Sequence, residues 1–212
     1  MPAGSDRPEI TVYSDYVCPF CYLGRASLSA YQADREEPLA IDWHPFDLRS
    51  GKRGPDGAID DSVDDGKDED YFDQVRDNVA RLREEYGAEE MLGIDEVPDV
   101  DSLDAQVASA YVQREHPEAW LAFDEALFRA LWVEGRDIGD RDVIAAVAES
   151  AGIDGDAVRA ALADQAHRDS VFEAFEEARQ RGVTGVPTFV YDETGARGAV
   201  PPEHLRRLVE DA

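Results

Sequence analysis

The sequence predicts an α/β protein in which strands near the two ends of the chain form one central mixed sheet, with a long helical segment inserted between them. Residues 9–16 and 39–48 alternate apolar and polar side chains, and a helical pattern lies between the two runs. Residues 72–182 repeat apolar side chains at helical spacing. Residues 188–200 alternate again before a short amphipathic helix. The predicted order is therefore β-α-β, a helical block, and β-β-α.

The first β-α-β unit begins with the run EITVYSDY, residues 9–16, which places Ile10 and Val12 on one face of a strand. This strand leads directly into two cysteines, and a helical pattern follows them. The second strand, residues 39–48, contains Pro45, which cannot donate a backbone hydrogen bond to a neighbouring strand. We therefore expect its far end to lie at a sheet edge or a bulge.

The central block is predicted to be helical after an initial loop. Residues 49–70 contain almost no apolar side chain and many turn formers, which predicts a solvated loop. Ser102 and Asp140 are typical helix caps, and Pro117 is typical of a first helical position. The apolar spacing predicts helices over residues 72–86, 103–111, 117–135, 140–152, 157–163 and 171–182.

The end of the chain is predicted to form a hairpin and a final helix. The two strands, residues 188–191 and 196–200, are joined by a turn at residues 192–195. Leu205 and Leu208 then mark the apolar side of a short helix. This order of elements has the outline of a thioredoxin-like fold with a helical insertion.

Acidic residues dominate the composition. The 212 residues include 48 Asp and Glu against 21 Lys and Arg, a formal net charge of −27, and the acids are spread over nearly the whole chain. Lys52 and Lys67 are the only lysines. Carboxylates distributed in this way keep a surface hydrated in molar salt, where the Debye length is about 3 Å. The composition favours an extreme halophile over the alternative of a merely acidic protein from a mesophile. The lack of a basic stripe argues against nucleic acid as a partner.

Composition and motifs also limit the class of protein. Apolar residues make up 43% of the chain, which is enough for a folded core. The first residues show neither the basic cluster nor the apolar stretch of an export signal, and no run reaches the roughly 18–20 apolar residues that span a bilayer. No phosphate loop, nucleotide fingerprint or serine-hydrolase motif occurs. We therefore expect a soluble, cytoplasmic protein with no membrane partner and no cofactor.

The stretch DYVCPFCYLG, residues 15–24, contains both cysteines of the chain. Cys18 falls where a helix cap is expected, and Pro19 suits the first helical position because its missing N–H is not needed there. A thiolate at this cap can accept hydrogen bonds from the backbone N–H of Phe20 or Cys21 and is stabilised by the helix dipole. We therefore expect Cys18 to ionise more readily than a free thiol.

Cys21 lies three residues later, on the same helix face but deeper in the first turn. This arrangement makes Cys18 the attacking thiol and Cys21 the resolving thiol of a CxxC redox pair. A fixed structural disulfide is disfavoured because so small a loop restrains little of the unfolded chain. A structural zinc site would need two more ligands from histidines or carboxylates, and we expect no metal.

Other polar residues carry weaker signals. Asp15, three residues before Cys18, is either a proton acceptor near the resolving thiol or a surface acid. Arg25 either binds an anionic thiol substrate or, as we favour, pairs with a neighbouring acid. Surface or capping roles, without metal-ligand spacing, are expected for His44, His116, His167 and His204.

A second motif lies just before the third strand. GVTGVPTFV, residues 182–190, resembles the cis-proline loop of thioredoxin-fold proteins. Together with YSDYVCPFCYLG, WHPFDL, ALFRALWVEGRDIGD and GARGAVPPEHL, this stretch resembles the DsbA-like family. The similarity is specifically to its FrnE-type branch, which also contains the 2-hydroxychromene-2-carboxylate isomerases. The resemblance covers nearly the whole chain, from the first strand to the last helix.

The resemblance has implications for both fold and site. It implies a thioredoxin-like domain formed by residues 1–48 and 183–212, interrupted by a loop and an all-helical insertion domain at residues 49–182. It also implies a cis peptide bond between Val186 and Pro187, which would present the Val186 backbone to a bound peptide or thiol. The implied substrate groove is lined by Cys18, Pro19, Phe20, Val186 and Pro187.

The sequence departs from parts of this family. The isomerases use glutathione and carry serine in place of the cysteine pair, so the presence of Cys18 and Cys21 favours dithiol exchange. The Pro-Phe dipeptide between them lacks a histidine, and we expect a pair less oxidising than that of strongly oxidising periplasmic members. We expect a cytoplasmic thiol-disulfide oxidoreductase that acts on protein or small-thiol substrates.

Two other functions remain compatible with the sequence. A glutathione-dependent isomerase or transferase of small molecules would keep its turnover in Cys21→Ser. A redox-regulated, chaperone-like binding protein would suppress client aggregation without either cysteine.

Overall fold

A computed structural model describes residues 7–54, 57–64 and 66–211 of the chain. Within these ranges four strands form a sheet in the order β2-β1-β3-β4. They are β1 (Glu9–Ser14), β2 (Ala40–Pro45), β3 (Thr188–Tyr191) and β4 (Thr194–Arg197). β1 is parallel to β2 and antiparallel to β3, and β3 is antiparallel to β4. The predicted mixed sheet is confirmed, and Pro45 ends a strand at the sheet edge.

Eight α-helices accompany the sheet in the described part of the chain. They are α1 (Pro19–Ala33), α2 (Glu69–Glu85), α3 (Leu103–Glu115), α4 (Pro117–Trp132), α5 (Arg141–Ser150), α6 (Gly155–Ala163), α7 (Gln165–Gln180) and α8 (Pro202–Glu210). α1 connects β1 with β2, and α2 to α7 lie between β2 and β3 in the sequence. The predicted thioredoxin-like fold with a helical insertion is confirmed. None of these helices is long and apolar enough to cross a membrane.

Side-chain caps explain where several helices begin. A carboxylate accepts a hydrogen bond from a first-turn backbone N–H at Asp68, Asp140, Asp154 and Asp164. The sequence predicts only one of these caps, Asp140. Ser102 stands at the predicted cap position of α3, but its hydroxyl makes no capping bond. It donates instead to Asp15 Oδ1 at 2.5 Å, because a buried carboxylate competes for it.

The sheet is covered on both faces. On one face Ile10 of β1 packs with Leu28 of α1 and Leu205 of α8. On the other face Tyr13 of β1 packs with Ala178 near the end of α7. α7 also contacts α3 and α6, so one helix joins the sheet to the helical layer. The predicted domain boundaries at residues 48 and 183 stay predictions.

The segment predicted as a solvated loop, residues 49–70, is partly ordered by a buried arginine. The Arg53 side chain is only 5% exposed, and its guanidinium lies 2.7 Å from a carboxylate oxygen of both Asp47 and Asp101. These ion pairs fasten the segment to the start of α3, and α2 already begins at Glu69. The sequence did not reveal this because Asp101 is 48 residues from Arg53. Positions 55, 56 and 65 of the predicted loop lie outside the described residues.

The hairpin is tighter than the sequence predicts. The connection between β3 and β4 is Asp192 and Glu193, and Asp192 adopts a left-handed φ of 51°. β4 therefore starts at Thr194, inside the predicted turn, and ends before Gly198, whose φ is 92°. The predicted second strand at residues 196–200 is wrong by about two residues. The cause is an aspartate that takes a conformation usually left to glycine or asparagine.

Candidate active site

The two cysteines lie at the junction of β1 and α1. Cys18 is the N-cap residue, with φ −86° and ψ 115°, and Pro19 occupies the first helical turn. The Cys18 carbonyl accepts from the backbone N–H of Cys21 at 3.0 Å, and the Cys18 N–H donates to the Asp15 carbonyl at 3.1 Å. Both cysteines are free thiols, 3% and 2% exposed respectively. The positions predicted from the sequence are those observed.

The Cys18 thiol faces the loop before β3. Its Sγ donates to the Val186 carbonyl oxygen at 3.6 Å. It makes no side-chain capping hydrogen bond, so the expected contact with the N–H of Phe20 or Cys21 is not formed. The Val186–Pro187 peptide bond is cis, as the resemblance implies.

A glycine in α1 allows the helix to approach the Pro187 loop closely. A Cβ atom placed on Gly24 would lie 2.9 Å from Pro187 Cγ and 3.1 Å from Phe189 Cζ. These distances are shorter than a carbon–carbon contact of about 3.5–4.0 Å. The Pro187 carbonyl also accepts from the Gly198 N–H at 2.8 Å. Gly24 thus lets the cysteine helix and the cis-proline loop pack together.

The predicted groove residues come together at this point. Half-buried Phe20 and Val186 both pack against the core cluster that contains Cys18 and Cys21. Pro19 is also partly exposed, whereas Pro187 is buried. All six predicted site residues therefore lie around one thiol pair. Their roles in binding and catalysis stay predictions.

The environment of Cys21 disfavours its ionised form. Burial raises the pKa of the Cys21 thiol well above its usual range, and the neighbouring Cys18 raises it further. The Ser14 hydroxyl and the Asp15 backbone act in the opposite direction. The Cys21 thiol is therefore held in its protonated form at a site with little access to bulk water.

The Asp15 carboxylate is engaged by groups other than the thiols. It accepts from the Ser102 hydroxyl at 2.5 Å, the Leu48 N–H at 2.9 Å and the Val17 N–H at 3.3 Å. Burial raises its pKa to about 6. These contacts tie the β1–α1 connection to the start of α3 and to the chain after β2. The predicted surface role is wrong, because the residue is only 1% exposed, and the three donors disfavour the alternative of a proton acceptor for the thiol.

A buried polar network joins α1 to the helical layer. Arg25 Nε donates to Asp124 Oδ2 at 2.9 Å, so the expected pairing of this arginine with an acid is observed. The Tyr16 hydroxyl donates to Asp124 Oδ1 at 3.0 Å and lies 2.7 Å from Ser109 Oγ. Trp120 Nε1 also donates to Ser109 Oγ, at 2.9 Å. Burial raises the pKa of Asp124, although Arg25 acts to lower it.

Asp124 is a residue that the sequence analysis missed. It lies on the apolar side of α4, one helical turn after Trp120 and one turn before Leu127 and Phe128. Its side chain is 2% exposed. An acid inside an apolar stripe is unusual because an unpaired buried charge is costly. This spacing was a readable signal for a buried acid that needs a partner.

The four histidines lie in different parts of the fold. The described residues contain no group of three or more His, Cys, Asp or Glu that could hold a metal ion. His116 lies between α3 and α4, and His204 is exposed. His44 lies on the edge strand, partly exposed. His167 departs from the expected surface role, because it is buried with its Nε2 donating to the Val107 carbonyl at 2.9 Å.

The mixed sheet, the cysteine pair at the start of α1 and the cis-proline loop opposite define a thioredoxin-fold protein. The chain belongs to the DSBA-like thioredoxin domain family, which matches residues 9–210. The predicted DsbA-like membership is thus confirmed. The FrnE-type branch and the halophilic source stay predictions.

Individual proteins show the same relationship. The uncharacterized protein YwbO of Bacillus subtilis (strain 168) is 28% identical over 204 residues, which is 96% of each chain. A probable DsbA oxidoreductase of Streptomyces coelicolor is 25% identical, with a TM-score of 0.75 over 97% of this chain and 89% of that one. A 2-hydroxychromene-2-carboxylate isomerase is 23% identical, with a TM-score of 0.72 over 94% and 92% of the two chains. The last similarity concerns the fold alone.

Proposed function

We propose that the protein is a thiol-disulfide oxidoreductase in which Cys18 attacks and Cys21 resolves. The observation that carries the proposal is the placement of two free thiols in one helical turn, with Cys18 Sγ 3.6 Å from the Val186 carbonyl of the cis-proline loop. Membership in the DsbA-like family supports the same chemistry. The substrates are protein or small-molecule thiols and disulfides.

The proposed exchange has two steps. The Cys18 thiolate attacks a substrate disulfide, so that a mixed disulfide forms and one substrate sulfur leaves as a thiolate. The Cys21 thiolate then attacks Cys18 Sγ, the Cys18–Cys21 disulfide forms, and the second substrate sulfur leaves. The substrate gains two electrons and the cysteine pair loses two. The reverse sequence oxidises a dithiol substrate.

The surroundings of Cys18 support a groove for an extended substrate. The Val186 carbonyl is the acceptor that Cys18 uses in the free protein, and a peptide N–H can replace the thiol as its donor. In the proposed groove, Pro19 and Phe20 contribute the helix side, and the Val186–Pro187 loop, which packs against Gly24, contributes the opposite side.

The test is a redox titration with trapping of free thiols by alkylation, performed in multimolar KCl. A Cys18–Cys21 reduction potential of about −270 mV would mean a reductant, and one of about −120 mV would mean an oxidant. In the matched variants, Cys21→Ser should accumulate a mixed disulfide with substrate, whereas Cys18→Ser should form none. Failure of the wild-type pair to exchange would overturn the proposal.

The same variants separate the other two functions. Turnover of a small conjugated substrate with glutathione that survives Cys21→Ser would indicate an isomerase or transferase. Equal suppression of client aggregation by the wild type and by a variant lacking both thiols would indicate a binding protein. The Arg25 ion pair with Asp124 disfavours glutathione chemistry, because the guanidinium is already engaged with a carboxylate.

We also propose that the protein works in the cytoplasm of an extreme halophile. The net charge of −27 and the use of arginine in nearly all ion pairs support a high-salt setting. Both cysteines of the chain belong to the CxxC pair, and transient catalytic disulfides rather than structural ones are usual in a reducing compartment. Unfolding measured against KCl concentration tests the first point, since equal stability without salt would contradict it. Alkylation of thiols in intact source cells tests the second, and a fully oxidised pair would contradict it.

A further inference from the structure

Two exposed arginines lie beside the cis-proline loop without a carboxylate partner. Arg181 follows the last residue of α7, and Arg197 ends β4. Neither forms an ion pair with a carboxylate among the described residues, whereas Arg179, two residues before Arg181, pairs with Glu176. Acids outnumber bases by 48 to 21 in this chain. The two arginines are therefore a local exception to an acidic surface.

The sheet register places Arg197 at the end of the sheet that carries the thiols. Tyr13 of β1 pairs with Thr188 of β3, and Thr188 pairs with Arg197 of β4. Residues paired across neighbouring strands point to the same face of a sheet, so the Arg197 side chain lies on the face of Tyr13, which α7 covers. Arg181 reaches the same face, because its Nη1 lies 3.5 Å from the Tyr13 hydroxyl. Since β1 leads into Cys18 at this end, both arginines lie on the thiol side of the sheet.

The Arg197 side chain runs along the cis-proline loop. A Cβ atom placed on Gly185 would lie 3.8 Å from Arg197 Cδ, so the arginine stem passes close to that glycine. Arg197 Nη1 donates to Thr184 Oγ1 at 2.7 Å. Gly185 precedes Val186, whose carbonyl accepts from Cys18 Sγ. The guanidinium is therefore held two residues along the loop from the backbone group that faces the attacking thiol.

Most of the hydrogen-bond donors of the Arg197 guanidinium remain available. Within the described part of the chain, this side chain donates only to the Thr184 hydroxyl, which carries no charge to neutralise it. An arginine has five N–H donors in a planar fork, and a carboxylate can accept two parallel hydrogen bonds from that fork. Arg197 is thus a preformed docking point for an acidic side chain.

We propose that Arg197 selects protein substrates that carry an acidic side chain within about two residues of the reacting cysteine. The inference rests on the proposed disulfide exchange. A substrate segment that pairs with the Val186 backbone as an extended strand advances about 3.3 Å per residue. Substrate residues one or two positions from the paired residue then lie beside Gly185 and Thr184, where the Arg197 guanidinium is held. Arg181, on the same face of the sheet, adds to the positive charge that the acidic segment meets.

The charge of the whole chain explains why a local cation matters for such a substrate. A protein with a formal net charge of −27 repels an acidic partner at low salt. In molar salt the Debye length is about 3 Å, so the repulsion from distant carboxylates is screened. A charge-assisted hydrogen bond at contact distance is screened much less. Arg197 therefore distinguishes substrates through a short-range contact and not through the overall field of the protein.

The experiment compares two peptide disulfides, each a short peptide dimerised through a single cysteine. The acidic peptide carries glutamate at the two residues before and the two residues after the cysteine, and the neutral peptide carries glutamine there. Reduced protein is mixed with an excess of each peptide in multimolar KCl, and the loss of protein thiols is followed by alkylation. The measured quantity is the ratio of the rate constants for the acidic and the neutral peptide. Comparing this ratio between protein variants cancels the intrinsic difference in reactivity of the two disulfides.

Arg197→Gln should lower the acidic-to-neutral ratio by about threefold relative to the wild type, within the range of a lost exposed ion pair. Arg197→Glu should lower it by about tenfold, because attraction is replaced by repulsion. The matched control is Arg207→Gln, which removes the same charge from an exposed position of α8. Its neighbour Arg206 pairs with Asp34 at the end of α1 opposite to the thiols, so the control should keep the wild-type ratio.

A small uncharged aromatic disulfide reports on the thiol site without the proposed contact. Its rate should be the same in the wild type and in all three variants, which shows that the fold and the cysteine pair are intact. A wild-type ratio retained by Arg197→Gln and Arg197→Glu would overturn the inference and leave the proposed exchange standing. An equal fall of the ratio in Arg207→Gln would also overturn it, because net charge would then be the cause. No reaction of the wild type with any of the three disulfides would instead contradict the proposed function.

Discussion

Replacement of Tyr16 by phenylalanine removes one oxygen atom from the network that connects α1 with the helical layer. The Tyr16 hydroxyl donates to Asp124 Oδ1 at 3.0 Å, and its ring is almost fully buried. A hydrogen bond to a charged group contributes about 1.5–3 kcal/mol. We therefore expect Tyr16→Phe to lower the free energy of unfolding by about 2 kcal/mol. In a protein of this size that loss corresponds to about 4–8 °C in Tm.

Tyr22→Phe is the matched control because it makes the same chemical change a short distance further along the chain. The Tyr22 hydroxyl is 3.4 Å from an exposed carboxylate oxygen of Glu90, so its loss should change stability by less than about 0.5 kcal/mol. Both variants are compared with the wild type by urea unfolding at fixed salt and pH. If Tyr16→Phe and Tyr22→Phe differ by less than about 0.5 kcal/mol, the buried network does not stabilise the fold as argued.

Three further predictions concern other buried contacts. Gly24→Ala gains about 1 kcal/mol of helix propensity but places a methyl group 2.9 Å from Pro187 Cγ, and overpacking costs about 1–3 kcal/mol. A denaturation curve should show net destabilisation, and a more stable variant would contradict the close packing. Burial raises the pKa of Asp15 to about 6, so the folded protein binds the Asp15 proton more tightly than the unfolded chain does. The resulting contribution to the free energy of unfolding is present below about pH 4 and is lost as the pH rises through about 6. Asp15→Asn should remove this decline, so the difference in free energy of unfolding between the variant and the wild type should change between about pH 4 and 6. A difference that stays constant over this range would refute the prediction. Arg53→Met leaves the buried Asp47 carboxylate unpaired and should cost about 3–5 kcal/mol, whereas a loss under about 1 kcal/mol would show that the pair contributes little.

The parts of the fold that the sequence predicts correctly depend on local signals. Alternating apolar residues locate β1, and Pro19 after Cys18 marks the start of α1, because both features act within a few residues. The cis bond at Val186–Pro187 follows from the family resemblance and is confirmed. The thiol pair and the opposing loop can therefore be recognised from the order of amino acids alone.

The parts that the sequence leaves out depend on partners far along the chain. Ser102 has the residue type and position of a helix cap, yet its hydroxyl binds Asp15, 87 residues away. Asp124 is recognisable as an acid on an apolar helix face, but the identity of its partner Arg25, 99 residues away, is not. Local propensity cannot rank such competing acceptors, because the winner is decided by burial in the finished fold.

The contacts of Asp15 and Tyr16 bear on how far the protein could be reduced in size. A shortened chain without α3 and α4 would keep all four strands and both thiols. It would nevertheless lose hydrogen bonds at three polar groups: Ser102 to the Asp15 carboxylate, the Tyr16 hydroxyl to Asp124, and Trp132 Nε1 to the Tyr16 carbonyl at 2.8 Å. Such bonds contribute about 0.5–3 kcal/mol each, which together is a sizeable part of the stability of a typical domain, about 5–15 kcal/mol. The helices between β2 and β3 are thus structural members of the thiol site, and a minimal version or a graft of it has to carry them along.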